Sequence, residues 1–110
     1  MKSQRLGEFE ELVLLAVPRL DEVYAVTIQR CIEKTAGRSA TMGAVYTALE
    51  RLEEKGFVTS RLGAVTPRQG GRRKRFYEIT DQGVGALHAA RLHRERMWQG
   101  LELKPSGTLS

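Results

Sequence analysis

Six basic side chains fall within fifteen consecutive residues, 61–75, and no acidic side chain accompanies them. They are Arg61, Arg68, Arg72, Arg73, Lys74 and Arg75. Guanidinium and ammonium groups at this density are suited to holding a polyanion, and phosphate accepts the paired N–H groups of an arginine well. A solvated surface face would carry the same charge, so the cluster alone leaves both interpretations open.

The charge of the whole chain is uneven in the same direction. Residues 1–56 hold 8 basic and 9 acidic side chains, whereas residues 57–110 hold 10 basic and 4 acidic ones, so the net charge of +5 arises in the second half. A length of 110 residues with 41% hydrophobic residues suits one domain with a modest core. The chemistry to be explained is therefore that of a small domain with one cationic end.

Side chains that perform catalysis or hold metals are few and scattered. His88 and His93 lie five residues apart on a predicted helix, which places them on different faces, and neither has a cysteine or acidic partner at the spacing of a metal site. There is no phosphate-binding glycine loop and no nucleophile motif. We therefore expect no metal, no cofactor and no enzymatic activity.

Apolar side chains indicate where the chain is buried. Cys31, the single cysteine, excludes an intrachain disulfide and shares a predicted helix face with Ile28 and Ile32, so we expect it in the core rather than in a redox or ligand role. The longest apolar run, 12–17, is far too short to span a membrane, and the N-terminus has no signal-peptide pattern. We expect a cytoplasmic protein without membrane contact.

Hydrophobic periodicity predicts four helices around one β-hairpin. We expect the first helix to end or kink near Val17, because Pro18 lacks a backbone donor, and Gly37 to close the second in a left-handed conformation. The helices are predicted over 6–20, 25–36, 42–55 and 81–99, the strands over 57–62 and 72–79, and a flexible tail over 101–110. This order is that of a mostly α winged helix-turn-helix (α+β), in which residues 1–100 form one domain that ends with the last helix, about 80–99.

The third predicted helix has one apolar face, and the opposite face is the candidate for a DNA major groove. Gly43 and Ala44 are small enough to let the helix N-terminus approach DNA closely, and Thr47 and Arg51 are candidates for base edges or nearby phosphates. The hydroxyl of Tyr46 either donates to a phosphate or packs beside the core.

The residues around this helix complete the candidate site for double-stranded DNA. Ser39 and Thr41 precede it, as helix caps or as DNA contacts. Next to this helix, the basic cluster is interpreted as a wing that contacts the phosphate backbone of DNA. Arg75 lies deeper in the strand and is expected to reach the DNA backbone near the third helix. The wing contacts are assigned to Arg68, Arg72, Arg73 and Lys74.

A winged helix that binds protein or RNA, without operator specificity, is the alternative. A wing that binds protein would not need six basic side chains and no acidic side chain within residues 61–75. An RNA-binding module more often exposes stacking aromatic side chains, whereas Phe76 and Tyr77 are predicted to lie in the hairpin core. The charge pattern therefore favours DNA.

An ordered set of segments resembles the PadR family of bacterial transcriptional regulators over about residues 5–90. The segments are LGEFEELVLLAV, Tyr24, GAVYTALERLEEKGFV, GGRRKRFYEIT and DQG. Ala25 stands where the family usually has glycine, and Pro18 interrupts a helix that is usually continuous there. The short C-terminal part allows one long helix, as in the small subgroup of the family.

The resemblance implies a homodimeric repressor that binds a palindromic operator and responds to a ligand or cellular signal. It places Gly70 and Gly71 in the DNA-contacting wing, and it places the dimer interface on the first and last helices. There we expect Leu6, Phe9, Val13, Leu87, Arg91 and Trp98. Trp98 either anchors the dimer by burial or stacks on a small planar aromatic effector.

Overall fold

The computed structural model describes residues 5–64 and 73–105, and its element order is the predicted one. Each helix and strand lies within the segment predicted for it, and α2 matches its predicted bounds. The elements are α1 (Glu8–Ala16), a 3-10 turn (Val17–Arg19), α2 (Ala25–Ala36), α3 (Met42–Glu54), β1 (Val58–Leu62), β2 (Arg75–Ile79) and α4 (Asp81–Trp98). The winged helix-turn-helix architecture is confirmed.

Local chemistry explains the ends of the first two helices. The backbone N–H of Gly7 donates to the Glu10 carboxylate at 2.9 Å, which satisfies a donor at the start of α1. As predicted, Pro18 stops regular α-helix, and the chain passes into the 3-10 turn. Gly37 ends α2 with φ +63°, in the left-handed region that favours glycine. Ala25 opens α2 without backbone strain, since no described non-glycine residue has a positive φ.

The core lies where α1, α2, α3 and β1 meet. Its largest fully buried side chains are Leu14, Ile28, Leu49, Leu52, Val13, Val45 and Val58. Cys31 is half-buried and packs against the edge of this cluster. Val13 is completely buried inside the single chain and presents no surface to a second copy, so it is removed from the expected dimer interface.

The hairpin is shorter than predicted at the start of each strand. Phe57 is buried in the core instead of pairing in the sheet, and Arg73 and Lys74 precede β2. The antiparallel register sets Arg61 opposite Phe76 and Val58 opposite Ile79. Hydrogen bonding of the Tyr77 N–H to the Val23 carbonyl, at 3.0 Å, ties β2 to the segment that leads into α2.

The start of α4 is packed tightly, whereas the rest of the helix is exposed on most of its surface. Thr80 caps α4, because its hydroxyl accepts from the Gly83 N–H at 3.0 Å and donates to the Gly56 carbonyl at 2.7 Å. Gly83 lies directly on the Phe57 carbonyl, where a Cβ would collide. Of the helices in 5–64 and 73–105, none is long and apolar enough to cross a membrane.

Candidate nucleic-acid interface

The turn between α2 and α3 is held by two side chains of α2. Gln29 donates from its amide nitrogen to the Ala40 carbonyl at 2.7 Å, and the Ala40 N–H donates to the Glu33 carboxylate at 3.4 Å. Ala40 itself is buried, while Ser39 is exposed on the outside of the turn. These contacts fix the point at which α3 begins.

The N-terminal half of α3 is exposed, capped and uncharged. Thr41 is the cap, since its hydroxyl accepts from the Ala44 N–H at 3.1 Å. Gly43, Ala44 and Thr47 are exposed, and no charged residue occurs in 42–49. The acidic residues of α3 lie further on, in 50–54. An approaching polyanion therefore meets less repulsion at the N-terminal half than at the C-terminal half.

The two flanks of α3 face different parts of the molecule. Tyr46 is 57% exposed, so it is not part of the core. It borders a shallow groove with Thr47 and with Arg75 of β2. Arg51 lies on the other flank, close enough to Glu10 at the start of α1 for its charge to help lower the pKa of that carboxyl. The structure thus brings Tyr46 and Thr47 beside Arg75 of the hairpin, whereas Arg51, one helical turn after Thr47, lies toward the start of α1.

Residues 73–75 are called the wing root, and two of them, Lys74 and Arg75, contact an aromatic ring and a hydroxyl group. The Lys74 ammonium lies 4.2 Å from the centroid of the Tyr24 ring. Arg75 donates to the Ser60 hydroxyl at 3.0 Å, and that hydroxyl donates to the Glu53 carboxylate at 2.8 Å. Arg75 therefore lies beside α3.

Arg61, further along the basic cluster, is held in a similar way. Its guanidinium lies 5.1 Å from the centroid of the Phe76 ring, across the hairpin. This contact occupies the ring of Phe76 between the two strands, and Tyr77 is buried. Both aromatic side chains therefore belong to the hairpin packing, as predicted.

One cleft gathers most of the predicted cationic and aromatic site residues that the structure describes. It has a volume of about 520 Å³. Its lining includes Tyr46, Arg73, Lys74 and Arg75, together with Tyr24, Ala25, Val26, Leu62 and Tyr77. Arg68, Gly70, Gly71 and Arg72, which the sequence also assigns to the wing, lie outside the described residues.

Tyr24 lines this cleft, although it was not predicted from the sequence as a site residue. It was quoted above only as part of a family motif, yet its ring meets that of Phe76 edge to face, with centroids 5.7 Å apart at 79°. The partners of Tyr24 lie about fifty positions further along the chain, so no local pattern could have revealed the contact.

A second surface lies between α1 and α4. It is a groove of about 800 Å³, lined mainly by apolar side chains, that includes Leu15, Val84, Leu87 and Trp98. Leu15 is 42% exposed and Trp98 58%, although both are large and apolar. Arg91 also lines the groove. Three of the six residues expected at a dimer interface, Leu87, Arg91 and Trp98, therefore share this surface. Leu6 and Phe9 are instead half-buried against the core.

The described part of the chain holds no group of three or more histidine, cysteine, aspartate or glutamate side chains that could bind a metal. His88 and His93 are exposed on α4. The site is therefore described by cations, hydroxyls and aromatic rings.

Comparison with known proteins agrees with this geometry. The model of the PadR-like family of transcriptional regulators matches residues 13–89. No curated protein sequence matches the chain. A PadR-like transcription factor from Bacteroides fragilis has a TM-score of 0.71 at 20% identity, over 83% of this chain and 84% of that one.

Two further solved structures have the same fold. A PadR family transcription regulator from Clostridium difficile R20291 has a TM-score of 0.66 at 22% identity, over 83% of this chain and 91% of its own. PadR of Bacillus subtilis, solved in complex with operator DNA, has a TM-score of 0.64 at 22% identity, over 94% of this chain and 52% of its own. Because the family model covers most of the chain, the protein belongs to the PadR-like family of transcriptional regulators and is not an enzyme.

Proposed function

We propose that this chain is a sequence-specific regulator that binds double-stranded DNA as a homodimer and represses transcription from a palindromic operator. The observation that carries the proposal is the pairing of two surfaces on one side of the molecule. The exposed, uncharged half of α3 lies next to a wing root with three consecutive cations. Family membership and the operator complex of Bacillus subtilis PadR support it.

The two surfaces have different tasks. Gly43 and Ala44 let α3 approach the floor of a major groove, and Thr47 and Arg51 read base edges or adjoining phosphates. The wing root supplies affinity through phosphate charge, which carries no sequence information. Ser39, exposed in the turn, and Thr41, at the cap, lie where a phosphate would flank the helix.

The groove between α1 and α4 is the proposed dimer interface. An exposed tryptophan and an exposed leucine side by side are costly in water, and a second copy removes both from solvent. A two-fold axis through this surface makes the same patch serve both partners. Leu87 and Arg91 lie in the groove. Leu6 and Phe9 are half-buried against the core and are proposed as more peripheral contacts of the interface.

The groove is also where we place release by a small planar aromatic effector. Trp98 offers a ring face, and the apolar side chains beside it exclude water from a bound ligand. Titration of planar aromatic compounds should quench the fluorescence of Trp98, the single tryptophan of the chain. If a broad panel leaves the fluorescence unchanged, Trp98 serves the dimer by burial alone.

Binding to the DNA upstream of the gene, measured across a salt series, tests the proposal. We expect steep salt dependence and an affinity for one site about 10³-fold or more above that for unrelated duplexes. Equal, weak binding to all duplexes would remove operator specificity. Tighter binding to RNA than to DNA would favour the alternative winged-helix function. Binding to a partner protein, with no affinity of this chain for DNA, would favour it as well. Sedimentation of the free protein reports whether it is a dimer.

A further inference from the structure

The cleft at the wing root has a chemistry that goes beyond a general cationic surface. Three cations, Arg73, Lys74 and Arg75, line it together with the phenol of Tyr46. Glu53 is linked to Arg75 through Ser60, from which it accepts a hydrogen bond, and among the described residues no acidic side chain lines the cleft itself. A group entering this cleft therefore meets an excess of positive charge, which excludes cationic ligands and favours an anion.

Tyr24 forms the wall of the cleft that orders the lysine. Its ring contacts the Lys74 ammonium on its face and the Phe76 ring at its edge. The backbone beside it is also fixed, since the Val23 carbonyl accepts from Tyr77 of β2 and the Tyr24 N–H donates to the Thr27 hydroxyl at 3.1 Å. Tyr24 therefore cannot move away from the hairpin without breaking several contacts.

We propose that this cleft binds one phosphate of the DNA backbone, and that Tyr24 is the positioning residue that holds Lys74 for it. Lys74 and Arg73 neutralise the phosphate, and the hydroxyl of Tyr46 donates a hydrogen bond to it. Arg75 contributes its positive charge rather than a direct hydrogen bond to the phosphate, because one of its guanidinium nitrogens already donates to Ser60. The proposal rests on the DNA-binding function proposed above and assigns one of its contacts.

A cation–π contact suits this task better than an ion pair would. The ring attracts the ammonium through its quadrupole and accepts no N–H in the way that a carboxylate does, so the lysine keeps its donors and its charge for the phosphate. A lysine that is already ordered loses less side-chain entropy when DNA binds. Tyr24 thus raises affinity without touching DNA.

The test is a set of variants whose affinity for a duplex of arbitrary sequence is measured across a salt series. Lys74→Met should reduce the slope of log K against log salt by about 0.9 and weaken binding about fivefold at 0.15 M salt, the contribution of one released counterion. Lys104→Met, the same change beyond α4, should alter neither. Tyr46→Phe removes only a hydroxyl, so it should weaken binding and leave the slope unchanged.

Tyr24 is tested through its dependence on Lys74. Tyr24→Leu should weaken DNA binding about two- to fivefold, as expected for an exposed cation–π contact, and Tyr24→Phe should bind like the wild type. In the Lys74→Met background, Tyr24→Leu should cost nothing further. If it costs as much there as in the wild type, Tyr24 supports the fold and does not position the lysine.

The outcomes separate this proposal from the one on which it rests. A wild-type protein without measurable DNA affinity overturns the proposed function. A wild type that binds with a steep salt slope, together with a Lys74→Met variant of the same slope, leaves that function standing and removes the phosphate from the cleft. A preference for duplex RNA of the same sequence would also overturn the proposal. Thermal unfolding of each variant confirms that the folded protein is being compared.

Discussion

Arg94 on α4 donates two hydrogen bonds to the carboxylate of Glu11 on α1, at 2.9 and 2.5 Å. The Glu11 side chain is largely buried, whereas Arg94 is more than half exposed. Within 5–64 and 73–105, no other ion pair joins α4 to the rest of the chain. This two-point contact fixes the direction in which the distal half of α4 leaves α1, and it borders the apolar groove.

Replacement of Arg94 by alanine should therefore lower the thermal midpoint of unfolding, because the Glu11 carboxylate is left largely buried without its cation. Arg94→Lys should recover only part of the loss, since an ammonium cannot reproduce the paired geometry of a guanidinium. Circular dichroism melts at low and high salt measure this. Arg96→Ala is the control: this arginine is exposed on the same helix and does not line the groove, so little should change. Equal losses in the two variants would contradict the assignment.

A second ion pair, between Glu10 and Lys55, makes stability depend on acid pH. Burial acts to raise the pKa of the Glu10 carboxyl, but hydrogen bonds from Lys55 and the Gly7 N–H, with the charges of Lys55 and Arg51, bring it below its usual 4.5. Because the folded-state pKa is the lower one, the pair stabilises fully above about pH 4.5 and loses its contribution as pH falls through the folded value.

Glu10→Gln should cost about 1–3 kcal/mol of unfolding free energy at neutral pH. Its stability should also fall less steeply than that of the wild type below pH 4.5, the usual value for this carboxyl. Urea unfolding across pH measures both effects. Glu8→Gln offers a matched comparison in the same helical turn, because its bridge to Arg38 is exposed and should contribute less than about 1 kcal/mol. Parallel pH profiles for Glu10→Gln and the wild type would exclude the pair as the cause.

Two glycines of α4 should respond in opposite directions to the same substitution. Gly83→Ala places a methyl group against the Phe57 carbonyl and the Ile79 side chain, so it should displace the start of α4 and destabilise the protein. Gly85 faces open space, and Gly85→Ala should stabilise the helix by about 0.5–1 kcal/mol. Denaturant midpoints of the two variants decide this, and stabilisation by both would show that Gly83 is not a packing position.

If α3 recognises bases and the wing binds phosphates, as proposed, substitutions in the two elements should cause two kinds of DNA-binding defect. Thr47→Ala or Arg51→Ala should change which sequences are selected from a random duplex library, with a cost of about 1–3 kcal/mol at the affected base pair. Arg73→Ala should weaken binding to all sequences about equally and lower the salt slope by about 1. If Thr47 and Arg51 variants select the wild-type sequence, base recognition lies elsewhere.

Elements encoded by nearby residues could be predicted well. Gly37, Thr41 and Thr80 end or begin helices through contacts within a few residues, and periodicity alone defined α2. The order of the elements also followed from local patterns, independently of any resemblance to a family. What was predicted poorly depends on distant partners.

Val13 illustrates the difference. An apolar helix position favours burial, but whether the partner is the same chain or a second copy depends on how α1 packs, and here the chain itself buries it. Tyr24 and Glu11 are similar cases, because their partners lie fifty or more positions away. Charge counting located the basic cluster but could not show that a tyrosine ring orders Lys74.

The joint at the start of α4 also has a mechanical consequence. The Thr80 hydroxyl donates a hydrogen bond to the Gly56 carbonyl, and Gly83 packs against the Phe57 carbonyl. The start of α4 is therefore fixed to the turn that immediately follows α3. Because this contact is tight, a change in the direction of α4, whose far end carries Trp98, would shift the segment that follows α3. A movement imposed at the far end of α4 would reach α3 as a smaller displacement. By reciprocity, a ligand held by α3 would resist that movement.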